Sequence, residues 1–302
     1  MTQPPQMKGV FVAAVTPLKA DLCPDLAAIP PLLDFYAKRG AHGALLLGTT
    51  GEGPSFSQQE REAIFTAGAE IKTSWPDFKL LAGTGTPSLD ATIQLNKTAF
   101  DIGFDGVVTL PPYYFRTVTE EGLFAWFSLV IDSSVPSDGC LLGYHFPQIS
   151  GVPLSQSLLT QLADKYPVRF GGIKDSSGDL NHTQNAVRAL PEQSILIGND
   201  RLMTAGLQAG SSGCITAAAN LISPQLRKVY DDFHIRENTS ATQAIVNAAR
   251  DVLETLMPFP AALKGLLSEL FGFPRWPLKP PLVPFREAEI NAAAGKLAEI
   301  LE

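Results

Sequence analysis

Over most of the chain, short apolar runs that stop at Gly, Thr or a charged residue alternate with longer stretches whose apolar positions recur at helical spacing. That alternation is the signature of parallel strands joined by crossover helices. The runs fall at 10–15, 44–47, 80–83, 107–110, 140–144, 170–174, 195–198 and 214–216. A helix-like segment follows each of the first seven, and more helix follows the eighth. The pattern predicts an α/β protein of the TIM-barrel class, a (β/α)8 barrel, in preference to an open doubly wound sheet.

Several helices carry their own start signals. Ser57 stands three residues before Glu60 at the head of a periodic run, and Thr119 precedes Glu120 and Glu121, which suit the positive end of a helix dipole. After about Ser223 the strand pattern stops, and Ile245, Ala249, Val252 and Leu256 recur at the spacing that buries one helix face. The chain therefore divides into a catalytic barrel over 1–222 and a C-terminal helical extension over 223–302. The stretch 258–284 is rich in Pro but interleaved with Leu, Phe and Trp276, so a packed, kinked connection is expected rather than a disordered linker.

A length of 302 residues suits one barrel domain. No apolar run is long enough to span a bilayer and no leader pattern follows Met1, so a soluble, cytoplasmic protein without a membrane partner is expected. The net charge is -7 with no cluster of Lys and Arg, which argues against nucleic acid as a partner. Cys23, Cys140 and Cys214 lie far apart, the last two in apolar strand-like stretches, and make no disulfide framework. His42, His145, His182 and His234 show no metal-ligand spacing. Neither a cofactor nor a metal is expected.

In a barrel, chemistry is carried by residues at the carboxyl ends of the strands. Polar groups stand there at Gly48-Thr49-Thr50-Gly51-Glu52, at Tyr113 and Tyr114, at Tyr144 and at Lys174. Simple alternation puts Phe170, Gly172 and Lys174 on one face of their strand and Gly171 and Ile173 on the other. If Ile173 packs on the helices, Lys174 points into the barrel mouth, where a lysine stripped of water is a nucleophilic amine that attacks a ketone. The alternative is a strand-end lysine that snorkels to solvent. Tyr144 is inward by the same rule, with Cys140 and Leu142, and is either a proton shuttle or a satisfied core tyrosine. The Gly48 to Gly51 loop either brings backbone N–H groups to a small carboxylate or simply starts a helix. Tyr113 and Tyr114, after Pro111 and Pro112, suit an aromatic pair that seals a subunit interface, with packing the alternative for at least one of them.

Taken together, these motifs resemble the dihydrodipicolinate synthase and N-acetylneuraminate lyase family. The matching segments are Gly-Thr-Thr-Gly-Glu at 48–52, Pro-Pro-Tyr-Tyr at 111–114, Tyr-His-Phe-Pro at 144–147 and Gly-Gly-Ile-Lys-Asp-Ser-Ser-Gly-Asp at 171–179. The likeness runs from Ala14-Val15-Thr16-Pro17 to the Lys279-Pro280-Pro281-Leu282 segment and the final helix. It implies a Schiff-base (class I) aldolase or lyase acting on pyruvate or another 2-keto acid. Lys174 would form the imine, Tyr144 would transfer protons, and Thr49 would link Tyr144 to Tyr114. The Thr50 backbone N–H, in the loop that starts at Gly48, would bind the substrate carboxylate. Family members are usually homotetramers built as a dimer of dimers, and Tyr114 would reach the neighbouring subunit's site.

Departures from the family pattern bear on the substrate. The synthase branch has Asn-x-Pro after its tyrosine and an arginine two residues beyond the Pro, which holds the aldehyde substrate's carboxylate. Here His145 replaces the Asn and Ile149 the arginine, and isoleucine neither donates hydrogen bonds nor pairs charge. The lyase branch is closer at Ile149-Ser150-Gly151 and at Gly198 and Asp200, but Arg201 stands where an acid is expected and Ala217 where a serine is expected. The reading that remains is cleavage of a 2-keto-3-deoxy sugar acid, with Asp200 a candidate hydroxyl ligand and Arg201 either a carboxylate partner or a surface residue. The alternatives are dihydrodipicolinate synthesis, dehydration of a keto-deoxy sugar acid, and noncatalytic binding of a 2-keto acid.

Overall fold

The computed structural model describes residues 4–301. Met1, at which no leader is expected, and Glu302 lie outside the described residues. Among these, eight strands close a parallel barrel: β1 (Gly9–Ala13), β2 (Gly43–Leu46), β3 (Lys79–Gly83), β4 (Gly106–Thr109), β5 (Leu141–His145), β6 (Phe170–Asp175), β7 (Ser194–Ile197) and β8 (Gly213–Thr216). Each strand pairs with the next and β8 pairs with β1, so no edge is left open. The predicted runs coincide with these strands to within a residue or two at most ends.

Two apolar clusters divide the core. Met7, Phe11, Leu45, Leu81, Val108, Leu142, Leu196 and Ile215 fill the barrel interior, and a larger cluster joins the outward strand faces to the helices. Residues alternate between the clusters with the period of a strand: on β1, Phe11 and Ala13 face in while Val10 and Val12 face out. The helix Gln58–Ala69 starts at a capping box in which Ser57 accepts from Glu60 N and Glu60 accepts from Ser57 N. Thr119 caps the helix Glu120–Ser134 through Gly122 N.

One strand breaks the alternation. Phe170 packs in the outer cluster instead of facing inward, and a Cβ placed on Gly171 would lie 2.0 Å from Cys140 Sγ inside the barrel. The β5–β6 register shifts between Leu141 and Leu142, and Gly172 absorbs the bulge at φ +122°, where any Cβ would strike Ser194 O at 2.0 Å. Past the bulge the alternation resumes, with Ile173 packed outward and Lys174 facing the barrel mouth.

The helix Ala219–His234 packs along β1 and completes the last strand-helix unit. The boundary read at 222/223 falls at a kink inside this helix, where Ile222 has φ -119° and ψ 29° and Pro224 follows. Beyond it lie the helices Ser240–Glu254, Phe259–Phe271 and Glu287–Leu301. The Pro-rich stretch thus holds a helix, with Pro260 in its first turn where a missing N–H costs nothing, and Trp276 and Leu278 are buried after it. Among the described residues no helix is long and apolar enough to cross a membrane.

Candidate active site

Tyr144 and Lys174 are direct partners across β5 and β6, both nearly buried, and Lys174 Nζ lies 4.2 Å from the centre of the Tyr144 ring. The Tyr144 hydroxyl is 3.3 Å from Thr49 Oγ1 in the loop after β2. These side chains open on a pocket of about 350 Å³, large enough for a small metabolite. Thr50, Ile149 and Gly198 also line it. Gly198 has a steric reason to be glycine, since a Cβ there would lie 1.9 Å from Ser176 Oγ and 2.8 Å from Ser176 Cα.

The loop after β2 is wound on one carbonyl: Gly48 O accepts from both Gly51 N and Gly53 N at 3.1 Å. Leu47 and Glu52 adopt left-handed backbone at its two ends, each with φ 56°. Gly48 therefore shapes the loop and lines a small cavity behind Tyr144, while Thr50 borders the Lys174 pocket. Among the described residues the N–H groups of Thr49 and Thr50 find no acceptor. Two adjacent unpaired N–H groups at a pocket wall suit a carboxylate.

Glu52, at the end of this loop, is buried against Lys264 of the helix Phe259–Phe271, with Nζ 2.5 Å from Oε1. Lys264 also donates to Pro277 O at 2.9 Å. Burial draws the Lys264 pKa down and the Glu52 charge opposes it. The contact is an ion pair with both side chains almost wholly out of solvent. Removing one partner would strand the other charge, at a cost of about 3–5 kcal/mol.

Behind the Tyr144–Lys174 pair, the next residues on the same strands face outward. His145 and Asp175 are again register partners, and His182 stacks on His145 with ring centres 3.8 Å apart. His182 Nδ1 meets Asp175 Oδ2 at 2.9 Å and Nε2 meets Leu154 O at 3.3 Å. Two acceptors suit two N–H groups, which favours the imidazolium form of His182. His145 Nδ1 accepts from Leu154 N at 3.1 Å and is neutral. The trio is a cluster of metal-ligand type, with its atoms within 4.8 Å of one another, but the bonds just given already engage one atom or more of each residue.

The two rings titrate in opposite directions. Burial lowers the His182 pKa, but the Asp175 bond and charge outweigh it and leave the pKa above 6.5. That ion pair is fully formed below pH 6.5, and its stabilisation is lost as the pH rises through the raised value. Burial, aided by the His182 charge, pushes His145 from 6.5 down to about 4. Its stabilisation is present above pH 6.5 and is lost as the pH falls through 4. His145→Asn, which keeps an acceptor for Leu154 N, is expected to flatten the loss of stability between pH 6.5 and about 4 by roughly 2–3 kcal/mol. Urea unfolding of both proteins at pH 4.5 and pH 7 measures this; an equal pH dependence in the two would show that His145 is not the acid-sensitive group.

Other residues singled out in the sequence lie elsewhere. Asp200 is fully buried and does not line the pocket; its Oδ1 takes a hydrogen bond from Arg250 Nη1 at 2.7 Å. Burial pushes its carboxyl up while the Arg250 charge pulls it down. Asp200 thus supports Arg250 through Oδ1 and lies outside the pocket wall. Arg201 pairs at the surface with Asp251 and Glu254 and is also absent from the pocket. Tyr114 is 76% exposed, edge-on to Phe115 and outside the pocket of its own chain.

Arg250, Met257 and Phe259 line the pocket from the C-terminal extension, which the sequence presented only as packing helix. The available signal was register: Arg250 lies four residues after buried Val246 and beside buried Ala249, a charged residue on the covered face.

Comparison with known proteins bears on this site. Residues 6–300 match the dihydrodipicolinate synthetase family. An uncharacterized DapA-like lyase of Chloroflexus aurantiacus is 35% identical over 295 residues, 97% of each chain. The 4-hydroxy-tetrahydrodipicolinate synthase 2 of Halalkalibacterium halodurans is 28% identical over 282 residues, 91% of this chain and 92% of that one. YagE, a prophage protein of E. coli K12 in the dihydrodipicolinic acid synthase family, has been solved in complex with pyruvate. It superposes with a TM-score of 0.90 at 25% identity, covering 98% of this chain and 99% of its own.

Proposed function

The chain belongs to the dihydrodipicolinate synthetase family and is a pyruvate-dependent aldolase or lyase, and on that premise we propose that it cleaves a 2-keto-3-deoxy acid through an imine on Lys174. The observation that carries this reading is the contact of Lys174 with Tyr144, and of Tyr144 with Thr49, at one wall of one pocket. The Lys174 amine adds to the keto carbon, and Tyr144 gives its proton to the carbinolamine hydroxyl, which departs as water and leaves an iminium beside a phenolate. Tyr144 takes the proton of the C4 hydroxyl, the C3–C4 bond breaks, and its electron pair enters the iminium as an enamine while an aldehyde departs. Protonation at C3 and hydrolysis release pyruvate and regenerate the amine. Thr50 N–H holds the C1 carboxylate from the loop after β2. Tyr114, exposed on its own chain, serves the neighbouring subunit in a cytoplasmic homotetramer assembled as a dimer of dimers.

The synthase reaction is the second reading. It is favoured by a cation in the pocket, Arg250, which would take the carboxylate that Ile149 cannot bind. A missing charged hydrogen bond at Ile149 costs roughly 1.5–3 kcal/mol, about one to two orders of magnitude in specificity. The deciding measurement is kcat/KM on the unmodified protein for cleavage of 2-keto-3-deoxy acids and for condensation of pyruvate with aspartate semialdehyde. Cleavage is expected to be the more efficient; efficient condensation with cleavage at background would assign the chain to the synthase branch.

A further inference from the structure

We infer that Arg250 forms a distal subsite that receives a terminal carboxylate on the far end of the 2-keto acid, while Thr50 takes the C1 carboxylate. The inference rests on imine formation at Lys174. Among the residues that line the pocket, Lys174 and Arg250 are the charged ones, and no acid lines it. The guanidinium is largely buried and fixed from behind. Nη1 donates to Asp200 Oδ1 at 2.7 Å, Nε donates to Glu254 Oε1 at 2.9 Å, and the group lies 4.7 Å from the Phe259 ring centre. Nη2 has no partner among the described residues.

This is a preorganised cation with spare donors. Glu254 is shared with Arg201, so one of the two carboxylates holding Arg250 is itself partly neutralised by a second guanidinium. The walls at Phe146, Ile149, Met257 and Phe259 offer no side-chain hydrogen-bond donor. An oxygen of the substrate's tail therefore finds its strongest partner at Arg250. A carboxylate is favoured over a hydroxyl because charge-assisted bonds are about twice as strong as neutral ones, and guanidinium geometry suits two oxygens.

Borohydride trapping on the full-length protein tests the subsite without requiring turnover. Pyruvate, 2-oxohexanoate and 2-oxoadipate are compared at fixed ionic strength, and the adduct is read by mass. Hydride reduces the C=N bond of each imine to a stable secondary amine on Lys174. The two longer acids differ only in a terminal methyl or carboxylate. Half-maximal trapping by 2-oxoadipate is expected at a concentration at least about tenfold lower than for 2-oxohexanoate. Arg250→Met alone would strand Asp200, so the charges are removed together in R250M with D200N, which is expected to erase the difference; Arg250→Lys is expected to keep part of it. Equal half-saturation by the two longer acids in the unmodified protein, or a preference that survives in the folded double variant, overturns the subsite alone. No adduct with any acid, pyruvate included, overturns the imine reading and the subsite with it. If the double variant does not fold, the comparison on the unmodified protein still decides.

Discussion

Lys174→Ala is expected to reduce turnover to the uncatalysed background while leaving the melting temperature unchanged or raised. The loss follows from the proposed imine: without the Lys174 amine it cannot form, and no other lysine lines the pocket. The stability forecast follows from burial. Lys174 is 3% exposed and, among the described residues, has no carboxylate partner, only the face of Tyr144. Burying its polar Nζ without a hydrogen-bond acceptor among the described residues costs stability, so truncation relieves that cost. Steady-state assays and thermal melts of the two proteins check both halves. Retained activity would place the nucleophile elsewhere, and a large fall in melting temperature would make Lys174 a structural residue.

Tyr144→Phe is expected to lower kcat on the order of a hundredfold or more with little change in KM, because a proton carrier acts in the transition state and not in binding. The substitution keeps the ring beside Lys174 and its packing on Phe146, and removes only the oxygen that meets Thr49. Thr49 Oγ1 would then face the pocket without that partner. A kcat within a few-fold of the unmodified protein would return Tyr144 to the core. A matching rise in KM would assign its hydroxyl to substrate binding.

The strands were legible because a barrel buries both of their faces, which writes each one as a short, nearly continuous apolar run. Lys174 and Tyr144 were legible for the complementary reason that each is a polar residue ending such a run. Phe170 was placed on the wrong face because simple alternation assumes a regular strand, and the bulge at Gly171 and Gly172 shifts the count by one. Asp200 was assigned to a hydroxyl by its place after β7, and that place says nothing of the cation that meets it. Its partner, Arg250, comes from a helix far along the chain, and local pattern carries no record of such a pairing. The helix Phe259–Phe271 was hidden by prolines that lie at and just before its first turn.

The Glu52–Lys264 pair sets an order of events for a chain emerging from the ribosome. The loop that bears Thr49 and Thr50 is made early, but the charge that secures its far end arrives only with the helix Phe259–Phe271. Until then Glu52 must stay hydrated, and burying it alone is too costly to complete the loop. A nascent barrel with all eight strands synthesised therefore still lacks the finished turn that bears Thr49 and Thr50. On the proposed reading of that turn, translation halted before Lys264 would yield a product that is inert toward keto acids.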